Sequence, residues 1–205
     1  MLRRSPAPAP ALRSVLAALG SPTAVSETRT PALRAAQGPL SPELPLPVHV
    51  LGVTGVPGAA PGAPSAVTPR TRLVGWRFLI RSGDRAIAAG DTMLTPDGWS
   101  FSHFFEGPYV LSTERALAQA EALPTLYQPR LLSIPELYML TLWLHAEPDE
   151  EGTPAAPAAA DLLVPLAPAP PGIAAHRPYR IADLLPVLTT RLASPPPLAG
   201  SAAPA

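Results

Sequence analysis

Apolar residues recur at two spacings along this chain, and the switches between them mark its elements. Leu12, Val15, Leu16 and Leu19 are spaced as on one face of a helix, and Gly20 is placed to stop it. A short helix is therefore expected over 11–19, docked on the body of the protein or on a partner. VHVLGV at 48–53 reads as a short strand, and its flanking prolines make it an edge. RLVGWRFLIR at 72–81 alternates more strongly, with Val74, Trp76, Phe78 and Ile80 on one face and Arg77 and Arg81 on the other. Ser82-Gly83-Asp84 is a hairpin turn, and 85–94 returns as a strand thinned by alanines and Gly90, as if another element approached it closely. After the turn at Thr95-Pro96-Asp97-Gly98, the strand WSFSHFFE at 99–106 completes an antiparallel meander.

The second half mixes the two spacings. Ala116, Leu117, Ala120 and Leu123 predict a helix over 111–123, capped by Ser112 or Thr113 and stopped by Pro124. A strand starts at 130–134, Pro135 bends it, and LYMLTLWLH at 137–145 is apolar on both sides, as in a strand covered on both faces. Residues 161–166 form another strand. Ile181, Leu184, Leu185, Leu188 and Leu192 predict a last helix, with Asp183 as N-cap so that Pro186 falls in the first turn. The expected fold is α+β: a mostly antiparallel sheet of about five to six strands with two helices packed on it.

Composition sets the boundaries. The 31 prolines, with alanine, crowd the first 44 residues, the stretches near 56–70 and 146–160, and the end of the chain. Such stretches bury too little apolar surface to offset chain entropy. One domain over 45–192 is therefore expected, with a flexible region at 1–44, loops near 56–70 and 146–160, and a disordered tail at 193–205. All 15 basic residues are arginine and asparagine is absent, the mark of a GC-rich coding sequence. The formal charge of zero argues against a nucleic-acid partner. The absence of cysteine removes thiolate, disulfide and zinc–thiolate chemistry, and suits a reducing compartment such as the cytoplasm. No segment is long and apolar enough to predict a membrane span, and Pro6, Pro8 and Pro10 break what would be a secretory leader.

Candidate chemistry concentrates on the last meander strand. Simple alternation puts Trp99, Phe101, His103 and Phe105 on one face, so His103 is expected among aromatics. The ordinary reading is a core imidazole satisfied by a carbonyl; the sharper one is a pocket floor with His103 as its polar contact and Glu106 at the rim. Arg77 and Arg81 share a face and could grip a carboxylate or phosphate, unless Asp91 on the neighbouring strand pairs with them. His49, His145 and His176 stand on separate elements without metal-ligand spacing, so no metal is expected. Nothing in the sequence calls for a cofactor, and there is no P-loop, GxGxxG or GxSxG. The expected function is a non-catalytic binding or protein-interaction module, its partner a protein or a second copy meeting the apolar face of the 137–145 strand. The alternative is a small enzyme with a pocket around His103 and Glu106.

Overall fold

Proline, which the chain carries in excess, starts helices here as well as interrupting the sequence. A proline has no N–H to lose in the first turn, and its fixed φ suits a helix start. In the computed structural model of the chain, residues 1–25, 30–54, 68–146 and 157–193 are described. Helices α1 (Ala9–Leu19), α2 (Pro22–Val25), α3 (Pro31–Ala35) and α4 (Pro108–Glu121) each have proline at or near their first residue. So does the 3₁₀ turn Pro135–Leu137. α4 thus begins before the predicted cap; Ser112 and Thr113 lie buried inside it, with Thr113 Oγ1 donating to the Tyr109 carbonyl at 2.7 Å.

The strands are β1 (Leu40–Thr54), β2 (Thr68–Ser82), β3 (Arg85–Thr95), β4 (Gly98–Phe105), β5 (Gln128–Ile134), β6 (Met139–His145), β7 (Leu162–Pro165) and β8 (Tyr179–Arg180). They form one eight-stranded sheet in the order β4-β3-β2-β1-β5-β6-β7-β8. The fold is α+β, but larger than the sequence predicts: the sheet is mixed, because β1 and β5 run parallel while the other neighbours are antiparallel. The β4–α4–β5 crossover produces that parallel pair. β1 is therefore not the expected edge. Its prolines sit before or within the irregular start of the strand, and the parallel ladder uses only Val48, Val50 and His49, beyond Pro47.

Helices cover both faces. α4 packs Ala116, Leu117 and Ala120 against Leu46, Leu131 and Leu142. On the opposite face α1 presents Ala11, Val15 and Ala18 to Trp76, Phe78 and Phe104, while α5 (Ile181–Ala193) presents Leu184 and Leu188 to Leu51, Leu132 and Trp143. Val74 escapes the predicted alternation: an irregularity between the Val48 and His49 registers turns it to the α4 side. Pro186 falls inside α5, a little later than the first-turn placement predicts.

The first 44 residues join the fold more than composition suggests. Leu2 pairs with Tyr127 beside the start of β5, α1 is docked, and β1 has begun by Leu40. The docking explains the thin strand: a Cβ on Gly90 would lie 2.9 Å from the Phe104 ring and 3.4 Å from Val15 of α1. Most of the loops expected near 56–70 and 146–160 and the tail beyond 193 lie outside the described residues. No helix among the described residues is long and apolar enough to cross a membrane.

β6 is the fully covered strand its sequence predicts, with every residue buried between β5 and β7. That placement corrects one expectation: Met139–His145 has no open face to offer a second copy, and in the 137–145 segment only Tyr138, 90% exposed, and partly buried Leu137 reach the surface.

Candidate functional site

β4 breaks its own alternation. Thr92 of β3 lies opposite Phe101 and Asp91 opposite His103, so Ser102 is one residue too many. A β-bulge of this kind reverses which face the following side chains occupy. Trp99, Phe101 and Phe104 therefore face α1, while His103 and Phe105 face the α4 side. The aromatic row expected around His103 is split between two faces. His103 is exposed, not buried; its Nδ1 lies 3.0 Å from Ser102 Oγ and its ring 5.6 Å from that of Phe105.

Glu106 turns the other way. Its carboxylate accepts hydrogen bonds from the backbone N–H groups of Ala32 (3.1 Å) and Leu33 (2.8 Å), the free amides at the start of α3. Arg77 forms a two-point ion pair with Asp91, at 2.8 Å through both Nε and Nη2, and stacks 4.5 Å above the Phe105 ring. Arg81 donates to Glu114 of α4 at 2.8 Å. The structure brings Arg77, His103 and Phe105 to one face, puts Trp99 and Phe101 on the other, and fastens Glu106 and Arg81 to neighbouring elements.

A second cluster is one that sequence reasoning passes over. On the α5 face, the Asp161 carboxylate, 0% exposed, accepts from Trp143 Nε1 at 2.7 Å, His145 Nδ1 at 2.9 Å, and the N–H groups of Ala146 and Ala158, each at 2.9 Å. His49 meets Trp143 edge-on at 5.3 Å, and buried Arg130 lies 5.0 Å from the Trp143 ring while donating to Gln128 at 2.7 Å. Gln128 in turn donates to Ser5 Oγ ahead of α1. A carboxylate holding an imidazole through Nδ1 is the arrangement that orients a general base in hydrolases. Here Trp143 and two amides share the same carboxylate, and every member of the pair is buried. The arrangement works as a tie: it joins the end of β6 to the start of β7, at the base of the long connection between them. Its sequence signal is that His145 and Asp161 bracket the Pro/Ala-rich stretch joining two adjacent antiparallel strands.

The third polar contact pins the 166–178 segment onto α4. Ser112 Oγ, in a residue 5% exposed, accepts from the Ala167 N–H at 2.8 Å and lies 3.1 Å from His176 Nε2. His176 has φ +60° and donates its backbone N–H to the Pro165 carbonyl. Tyr109 completes the contact by donating to the carbonyls of Tyr138 and Pro168, and burial lifts its phenol above the usual range against the opposing pull of Arg77. Burial, helped by the Arg115 guanidinium, holds the His176 imidazole below its usual range.

This last shift has a consequence for stability. An unfolded histidine titrates near about 6.5. Because folded His176 titrates lower, the unfolded chain binds more protons as pH falls below that value. Stability is then full above about pH 6.5 and declines as pH falls toward the folded-state value. His176→Gln is expected to flatten this part of the profile, measured as urea midpoints between about pH 7.5 and pH 5. An unchanged slope in the variant would remove His176 from the account.

The chain matches no protein-family model, no curated protein and no solved structure.

Proposed function

We propose that this chain is a non-catalytic interaction module, with a protein as its partner and the cytoplasm as its compartment, and that it binds an extended strand along the outer edge of β4. The supporting observation is the character of that edge. Among the described residues β4 pairs only with β3, and its eight residues, GWSFSHFF, include no charge and no proline. Natural sheets usually protect edge strands with lysine, proline or a short length. An added strand supplies its main-chain hydrogen bonds to such an edge, and side chains on alternate faces set the choice of partner. Trp99, Phe101 and Phe105 are half-buried along it, and Leu94 beside Trp99 is 57% exposed.

His103 and Glu106 do not converge on one pocket: the two side chains turn to opposite faces, and Glu106 already serves α3. Arg77 and Arg81 bear on binding through the ion pairs that stiffen the neighbouring strands.

Amide hydrogen exchange tests the reading. Extended peptides alternating aromatic residues with serine, added in excess to dilute protein, are expected to slow exchange along Ser100–Phe105 and to leave β6 unchanged. Exchange along β4 that no such peptide slows would overturn it.

A further inference from the structure

The sheet has two unequal ends. β8 is two residues long and runs directly into α5, so it offers almost no edge. β4 is eight residues long, about 27 Å of extended chain, and offers a full one. We infer that the strand β4 receives is β4 of a second copy, so that two chains join edge to edge in one continuous sheet. This rests on the reading of β4 as the binding edge and names its occupant.

A two-fold axis along the sheet normal keeps each face on its own side, so residues opposite each other must share a face. Gly98, Ser100, His103 and Phe105 lie on the α4 side, in rows with Thr95, Met93, Asp91 and Ala89 of β3. Trp99, Phe101 and Phe104 lie on the α1 side. Antiparallel pairing of β4 with itself satisfies the requirement on both sides of the bulge in the register that sets Gly98 opposite Phe105, Trp99 opposite Phe104 and Ser100 opposite His103, with the Phe101–Ser102 bulges of the two copies facing each other at the axis. Each pair then recurs about the axis.

That register is chemically matched. Aromatic meets aromatic on the α1 side, and hydroxyl meets imidazole on the other. The strand carries no charge, so two copies bring no like charges together. The bulge at Ser102 is a device of β4 that usually discourages edge pairing. In this register the two bulges meet at the axis, and the bulge is what puts His103 and Ser100 on the same face. Without the bulge, Ser100 and His103 would point to opposite sides.

Light scattering and sedimentation on the full chain test this. The wild-type protein is expected to be a dimer at micromolar concentration. Ser100→Lys, at an exposed position, should weaken it by about tenfold or more, because the two-fold repeats each unfavourable pair. Adding His103→Glu to that variant sets opposite charges across the axis and should restore the dimer. Circular dichroism of each variant should match wild type. A monomeric wild type, a dimer indifferent to Ser100→Lys, or a double variant that stays monomeric would each overturn the pairing. A monomer whose β4 amides are still protected by added peptides would overturn self-pairing alone and leave the broader reading standing.

Discussion

Asp161→Ala is expected to lower the unfolding free energy by about 4 kcal/mol, a loss few single substitutions reach. The substitution strands four donors at once: Trp143 Nε1, His145 Nδ1 and the N–H groups of Ala146 and Ala158. Each buried donor left unsatisfied costs about 1–3 kcal/mol. Local rearrangement and entering water recover part of the sum, which sets the estimate near its lower end. The midpoint of thermal unfolding should fall by roughly 10–15 °C, at about 2–4 °C per kcal/mol for a chain of this size. Asp161→Asn should lose less, because an amide oxygen can still accept from two of the donors while its NH₂ opposes the others. Urea denaturation followed by circular dichroism measures both. A loss below about 1 kcal/mol for the alanine variant would mean that the tie contributes little to folding.

Gly75→Ala should destabilise the protein by about 3 kcal/mol or more, and Gly90→Ala clearly less. Both add one methyl group to a glycine inside a strand, so the difference isolates what that methyl meets. At Gly75 a Cβ would lie 2.0 Å from the carbonyl oxygen of Thr92, a backbone atom on the neighbouring strand. The strands cannot part easily there, because Thr92 Oγ1 bonds both the N–H and the carbonyl of Trp76 at 3.2 Å. At Gly90 the nearest atoms belong to the side chains of Phe104 and Val15, which can shift by tenths of an ångström. Overpacking of that kind costs about 1–3 kcal/mol. Equal losses at the two sites would contradict the distinction between backbone and side-chain obstacles.

Particular residues show how far the sequence carries. The meander, α4, β6 and α5 follow from spacing, since each buries a continuous apolar stripe. The close approach at Gly90 is readable too, because small residues on a strand imply a near neighbour. The bulge at Ser102 is not readable. It follows from how β3 and β4 settle against each other, and one unpaired residue moves His103 from a buried aromatic row to an exposed face. The parallel pairing of β1 with β5 escapes for a similar reason: it depends on where the α4 crossover returns, not on any local pattern. Asp161 reads as an ordinary loop carboxylate until β6 and β7 are placed side by side. Glu106 reads as a strand-end carboxylate until α3 arrives from more than seventy residues away in the chain.

The short parallel ladder between β1 and β5 is a seam. To one side, β1 to β4 fold back on one another in chain order; to the other, β5 to β8 do the same. The ladder across the join pairs Val48, His49 and Val50 with Leu131, Leu132 and Ser133. Each half can pair through loops closed between successive strands, whereas the seam requires segments some eighty residues apart to meet. Such distant pairings are slow to form. Joining the halves should therefore set the folding rate, and the cores under α4 and α5, which both reach across the seam, should close only when it does.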